Sequence, residues 1–196
     1  MELKYYLIYK PYMMLSQFSS ELGKQTLADL NYTFPKDVYP VGRLDEDSEG
    51  LLILTNDKLL NHKLLDPKYK HIRTYLAQVD GDIKDENLKP IFEGVDININ
   101  GFIYKTIPAK AKIIQEPENI RERVPPIRVR KNIPTSWISL TLEEGKNRQV
   151  RKMTAKIGYP TLRLIRTNIE GINMDNMTSG EVKEIKKEIL YRALNI

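Results

Sequence analysis

The sequence predicts an α+β fold with a central, largely antiparallel sheet. Segments of strand character outnumber helical ones, and no regular βαβ alternation appears along the chain. An Asn-Gly pair between two β-rich runs marks a hairpin, because those residues supply the positive backbone angles of a type I′ turn. The 196 residues are 41% hydrophobic and 29% charged, which allows one well-cored domain or two small subdomains.

Taken in order, residues 3–10 are rich in Tyr, Leu and Ile and stop at Pro11, the pattern of a strand entering a loop. Residues 24–31 can hold a short helix through Leu27 and Leu30, broken by Phe34-Pro35. Residues 38–41 read as a short extended segment, and residues 50–55, Gly-Leu-Leu-Ile-Leu-Thr, as a buried strand. Asn56 or Asp57 can cap a helix that carries Leu59, Leu60, Leu64 and Leu65 and ends before Pro67. Residues 72–79 mix β-branched and aromatic side chains and close on the turn Asp80-Gly81. Residues 85–92 read as a helix ended by Gly94, and residues 95–99 and 102–107 as the hairpin strands around Asn100-Gly101.

Residues 110–115 alternate as a strand. Residues 116–134, with their prolines and basic side chains, read as an exposed loop. Residues 137–142 alternate again, with Trp137 expected in the core rather than as a stacking platform. Residues 147–157 place Val150, Met153, Thr154 and Ile157 on one helical face, with Gly158 as terminator. Residues 162–169 and 181–185 are further strands, and residues 188–194 a closing helix.

Composition excludes several chemistries. There is no cysteine, so disulfide scaffolds, thiol nucleophiles and iron–sulfur sites are out. The longest apolar run, residues 5–9, is far short of a membrane span, and a cytoplasmic protein is expected. His62 and His71 lack metal-ligand spacing, and no metal is expected. The formal net charge of +5 hides an asymmetry: residues 105–166 carry 15 basic and 5 acidic side chains, the remainder 16 basic and 21 acidic. A concentrated positive surface suits a polyanion, although acidic groups elsewhere could neutralise it in the fold.

The most unusual stretch is residues 42–57, GRLDEDSEGLLILTND, where Asp45, Glu46, Asp47 and Glu49 crowd a loop ahead of an apolar strand. Three readings are open. Asp45, Asp47, Glu49 and Gly50 match the early positions of a calcium loop, but Asn56 stands where a bidentate Glu belongs. The second reading is a plain acidic turn of the kind common at surfaces. Alternatively, one carboxylate is a nucleophile presented at the mouth of a buried strand and held by a neighbouring cation.

This stretch resembles the second motif of the pseudouridine synthases of the RsuA-type branch. Tyr9-Lys10-Pro11 is similar to the first motif of that family, Arg73-Thr74-Tyr75 to the segment carrying its active-site tyrosine, and residues 144–153, EGKNRQVRKM, to the third motif. Residues 125–137 and 158–166 are most similar to members of the branch that act on large-subunit ribosomal RNA. The resemblance runs nearly the length of the chain. It implies the pseudouridine synthase fold, with two subdomains and an active-site cleft between them, and residues 1–196 as a single catalytic domain without an N-terminal S4 module.

Carried over residue by residue, the resemblance makes Asp45 the catalytic carboxylate, Arg151 its basic partner and Tyr75 the residue that lies against the target base. Asp47 is expected to be structural. Arg43 becomes a candidate phosphate or base contact, and Lys10 a loop-shaping residue that also reaches RNA. Lys146, Arg148 and Gln149 join the RNA-binding candidates, as do Arg121, Arg123, Arg128, Arg130 and Lys131 of the proline-rich stretch. No cofactor is implied. The expected partner is ribosomal RNA, of the large subunit by similarity, and the expected state a monomer. A small-subunit substrate and a non-catalytic assembly factor are the competing functions. The first motif departs from the family at Met13, where glycine is usual, which leaves the shape of its loop open.

Overall fold

The computed structural model describes residues 2–127 and 133–196. In chain order its elements are β1 (Tyr5–Lys10), β2 (Met14–Leu15), β3 (Gln25–Thr26), β4 (Tyr39–Pro40), β5 (Glu49–Thr55), α1 (Lys58–Leu65), β6 (Arg73–Asp80), α2 (Lys89–Glu93), β7 (Asp96–Ile99) and β8 (Phe102–Lys105). They continue with β9 (Lys110–Ile114), β10 (Thr135–Leu142), α3 (Gln149–Lys156), β11 (Thr161–Ile169), β12 (Ile172–Asn173), β13 (Val182–Glu184) and α4 (Lys187–Leu194). The chain divides into two units, Met1–His71 with Ile165–Ile196, and Ile72–Leu164. Both are α+β with largely antiparallel sheets, as the sequence predicts.

In the first unit β1 lies between β13 and β5, antiparallel to both. Every residue of β1 and β5 is buried, which is why both strands read as near-continuous apolar runs rather than alternating ones. Side chains such as Ile8 and Leu52 are fully enclosed, each contributing about 1.5–3 kcal/mol relative to exposure. A parallel contact sets Ile165 of β11 beside Glu49 of β5 and Arg166 beside Gly50. Here the Arg166 backbone fills the space a side chain would need: a Cβ on Gly50 would lie 2.3 Å from the Arg166 carbonyl oxygen, and Gly50 holds φ at +104°.

Asp57 caps α1, accepting from the Leu59 and Leu60 amides at 3.0 and 3.2 Å. Its other oxygen accepts from the hydroxyls of Tyr5 and Tyr191 at 2.7 and 2.5 Å, which ties β1 and α4 to the helix start. Burial works against the Asp57 carboxylate, but the four donors outweigh it and hold its pKa below the ordinary aspartate value. Burial and the same carboxylate push the Tyr191 hydroxyl up to about 12.

In the second unit β10 pairs with β6 and β9, antiparallel throughout. One face of this ladder carries Ala77, Val79, Ile138, Leu140 and Leu142 into a core completed by Leu88, Ile91, Ile97, Val150 and Met153. The β7–β8 hairpin forms with Ile99 opposite Phe102 and with φ of 52° and 91° at Asn100 and Gly101, the turn read from the sequence.

Two local expectations are corrected, and a third is placed more finely. The helix expected over residues 24–31 shrinks to a 3₁₀ turn, Leu27–Asp29, capped by Thr26 and Asp29, since so few apolar residues give a longer helix nothing to pack. The helix expected over residues 85–92 opens as a 3₁₀ turn, Asp85–Leu88, and α2 begins only at Lys89 with Pro90 in its first turn, where a missing N–H costs nothing. Trp137 is buried, as expected, but sits on the ladder face opposite the one that carries Ile138 and Leu140.

Candidate active site

In the first unit the acidic loop is held by its backbone. The Ser48 amide donates to the Asp45 carbonyl at 3.0 Å, which makes residues 45–48 a tight turn. The Ser16 hydroxyl accepts from the Leu44 amide at 3.0 Å and donates to the Leu44 carbonyl at 2.8 Å, fixing the residue before Asp45 from both sides. On the far side of Asp45, the Glu46 carbonyl accepts from the Met13 amide at 2.9 Å, and the Glu46 carboxylate pairs with Lys24 at 2.7 Å. Leu44, Ser48 and Glu49 are buried, Asp45 is half-buried and Arg43 is exposed. The loop therefore holds Asp45, half-buried, on a fixed backbone.

Two residues of the first motif acquire definite places. Met13 adopts φ of 60°, the left-handed conformation for which glycine is usual, so the loop turns without glycine. Lys10 is 0% exposed, and its ammonium donates to the carbonyls of Met14 at 2.6 Å, Pro11 at 2.8 Å and Glu46 at 3.4 Å. Burial lowers its pKa to about 8, against the pull of Glu49, Asp47, Glu46 and Asp45, which favour the charged form. All three of its donors are used inside the loop, so Lys10 shapes the loop and is not presented to a phosphate, in contrast to the RNA contact expected of it.

A calcium loop does not fit. Residues 50–55, where later ligands would fall, form the buried strand β5. No cluster of three or more His, Cys, Asp or Glu able to hold a metal occurs among the described residues, and no helix among them is long and apolar enough to cross a membrane.

In the second unit Tyr75 stands near the start of β6, opposite Leu140 on the core-facing side, half-buried against the hydrophobic cluster. Arg151 lies on α3, half-buried, with a guanidinium nitrogen donating to the Thr161 carbonyl at 3.3 Å. Before α3, Arg148 is exposed with φ of 52° and Lys146 sets its ammonium 4.7 Å from the Tyr104 ring centre. Both side chains are exposed.

Gln149 is different. It is buried, with its amide nitrogen donating to Glu144 at 2.6 Å and its amide oxygen accepting from the Lys146 backbone at 2.9 Å. Its polar atoms are occupied within the protein, so it positions the third motif rather than offering a phosphate contact as expected. Glu144, which sequence reasoning did not single out, is the hub of this arrangement. It also accepts from the Tyr104 hydroxyl at 2.6 Å and the Ile107 amide at 2.8 Å, raising the Tyr104 pKa to about 12.

Of the basic residues proposed in the proline-rich stretch, Arg121 is exposed and Arg123 turns back on the chain, donating to the carbonyls of Pro125 and Pro126 at 2.9 and 3.4 Å. Arg128, Arg130 and Lys131 lie outside the described residues.

Residues 4–156 match the family model described as RNA pseudouridylate synthase. The chain is 50% identical over 177 residues to the ribosomal large subunit pseudouridine synthase E of Vibrio parahaemolyticus serotype O3:K6, covering 90% of this chain and 71% of that protein. It is 46% identical over 171 residues to the enzyme of the same name from Xanthomonas axonopodis pv. citri, covering 86% and 87%. A crystal structure of a pseudouridylate synthase superposes with a TM-score of 0.79 at 23% identity, over 98% of this chain and 74% of the other, a likeness of fold.

Proposed function

The chain belongs to the RNA pseudouridylate synthase family and is an RNA pseudouridine synthase, and from that premise we propose that it isomerises a uridine of large-subunit ribosomal RNA with Asp45 as the nucleophile. The substrate follows from relatives named for the large subunit that are up to half identical to it. The observation that carries the nucleophile is the Asp45 loop itself: a half-buried carboxylate whose backbone is pinned on both sides by Ser16, Met13 and the turn to Ser48. A nucleophile fixed before substrate arrives has less orientation to lose on reaching the transition state.

The reaction breaks the bond from ribose C1′ to N1 of uracil and forms one from C1′ to C5. The C5 proton leaves and N1 gains one, so the reaction consumes no water and changes no oxidation state. Asp45 attacks the ribose or the uracil ring, the base turns, and it is rejoined through carbon. Arg151 is the basic residue that the family resemblance pairs with this carboxylate, and Tyr75 lies against the base and serves the proton transfer from C5. Arg43, Lys146, Arg148 and Arg121 contact phosphates, giving binding that weakens with salt. The protein works in the cytoplasm as a monomer.

The test is Asp45→Asn, assayed by carbodiimide-dependent primer-extension stops on large- and small-subunit RNA. The expected result is complete loss of the new pseudouridine with RNA binding and folding retained. Normal conversion by the variant would overturn the nucleophile assignment, conversion of small-subunit RNA alone would overturn the substrate, and RNA binding without conversion by the unaltered chain would favour an assembly factor.

A further inference from the structure

Among the described residues seven that are not glycine hold a positive φ, and Met13, at 60°, is the only apolar one. Asn100, Asn176 and Asn195 are of the type that tolerates this conformation, and Lys70 closes a 3₁₀ turn. Met13 lies instead in the turn between β1 and β2, where the left-handed conformation costs an L side chain free energy that glycine does not lose.

The turn has no freedom to relax. Lys10 donates to the carbonyls of Pro11 and Met14, on either side of it, at 2.8 and 2.6 Å, and the Met13 amide donates to the Glu46 carbonyl at 2.9 Å. Strain that is over-determined in this way collects at functional sites. The core gains little from the side chain that causes it, since Met14 is 3% exposed and Met13 is 43% exposed.

The position adjoins the candidate nucleophile. From the hydrogen bond to Glu46 and standard bond lengths, the α-carbons of Met13 and Asp45 are at most about 11 Å apart. A methionine and an aspartate side chain together can bridge most of that distance, so a nucleoside engaged by Asp45 is within reach of the Met13 thioether. Asp45, Glu46 and Asp47 set carboxylates on this loop, which repel a phosphate but not the neutral face of a base. The thioether is apolar, polarisable and unbranched and packs against π faces, so it suits a planar base and not an anion.

We propose that Met13 is a substrate-contact residue whose side chain packs against the uracil of the uridine brought to Asp45. This contact rests on the reading of Asp45 as the nucleophile of an RNA uridine isomerase. A glycine would make the turn at lower cost and leave the base without its apolar wall.

The contact can be read without turnover. Met14, Met153, Met174 and Met177 are buried, so Met13 should be the methionine of the described residues that dilute hydrogen peroxide oxidises fastest. In the Asp45→Asn chain saturated with a large-subunit RNA transcript, sulfoxide formation at Met13, followed by peptide mass spectrometry, should slow by about fivefold or more. A transcript made abasic at the converted position should lose most of this protection. An unchanged rate on the RNA-bound chain would overturn the proposal, as would protection that persists without the base or a chain that binds no RNA.

Substitution then separates contact from structure. Met13→Gly relieves the strain and removes the side chain, so its urea midpoint should be unchanged or raised while kcat/KM for uridine conversion falls about five- to tenfold. Met13→Leu should recover most of that loss. Full activity in Met13→Gly would overturn the proposal, and so would a parallel loss of stability and activity, the signature of a structural methionine. Oxidation and conversion fail separately. Protection of Met13 by an RNA that the unaltered chain does not convert would sink the catalytic reading and leave the RNA contact standing, whereas conversion with Met13 unprotected would do the reverse.

Discussion

Gly50→Ala isolates the feature that sets β5 behind the acidic loop. The added methyl would lie 2.3 Å from the Arg166 carbonyl oxygen and 2.8 Å from its amide nitrogen. Both are backbone atoms, so no rotamer change relieves the clash. Moving them would strain the parallel contact of Arg166 with Gly50 and the 2.8 Å hydrogen bond from the Arg166 guanidinium to the Leu51 carbonyl. The backbone at φ +104° adds a penalty for any L side chain, worth about 1–2 kcal/mol, and overpacking adds about 1–3 kcal/mol more. The expected loss is therefore about 2–5 kcal/mol. Gly23→Ala is the control: it shares a positive φ, +74°, but has nothing within 4 Å of the new methyl, so it carries the backbone penalty alone. Urea denaturation of the two variants, followed by far-ultraviolet circular dichroism, should separate them by about 1–3 kcal/mol. A separation within about 0.5 kcal/mol would refute the claim that close approach of Arg166 is what requires glycine here.

Two further perturbations probe the residues that support the candidate site. Lys10 has its pKa lowered to about 8 by burial, so between that value and the ordinary 10.5 the unfolded chain holds a proton that the folded chain has released. Stability should then rise with pH across this window, and Lys10→Met should remove that slope in denaturation curves taken on either side of it; a slope that persists would place the titration elsewhere. Glu144→Ala removes the acceptor for Tyr104, Ile107 and the buried Gln149 amide at once, for an expected loss of about 2–3 kcal/mol. It should also lower kcat more than it raises KM for RNA, with partial rescue by Glu144→Gln, because the carbonyl oxygen of glutamine still accepts; an unaltered kcat would show that the network does not position the third motif.

The long, periodic or continuously apolar segments were legible because their burial pattern is written in side-chain type. β1, β5 and β10 fall within two residues of their expected ends, and the β7–β8 turn could be read from two residues. What the sequence could not carry was set by non-local partners. Nothing near residue 166 announces that its backbone will lie against Gly50, and nothing in Ser16 announces that one hydroxyl will clamp both polar groups of Leu44, 28 positions away in a different segment. For the candidate site, Asp45, Tyr75 and Arg151 were found through motif resemblance, while the role of Lys10 could be found only through burial. A lysine in a motif reads as a surface cation until its solvent exposure is known to be nil. Gln149 fails in the same way: adjacent to Arg148 in sequence, it faces inward while Arg148 faces out.

The charge asymmetry also acquires a structural address. Within Ile72–Leu164 there are 17 basic and 11 acidic side chains, and in the other unit 14 and 15, so the surplus that would attract RNA belongs to the unit that does not carry Asp45. A phosphate chain brought near a loop of four carboxylates would be repelled unless those charges were offset within the loop. Lys10 and Lys24 supply that offset by different means. Lys24 pairs with Glu46 from a side chain that is 35% exposed, where salt screens the interaction. Lys10 sits beneath the turn with no exposure at all, coupled to Glu49, Asp47, Glu46 and Asp45, and at neutral pH it lies below its own titration and is charged. A buried cation is screened far less than a surface one, so its field on the carboxylates persists at ionic strengths that weaken the surface contacts. The loop thus keeps an internal counter-charge for the candidate nucleophile that does not depend on the cations that gather the substrate.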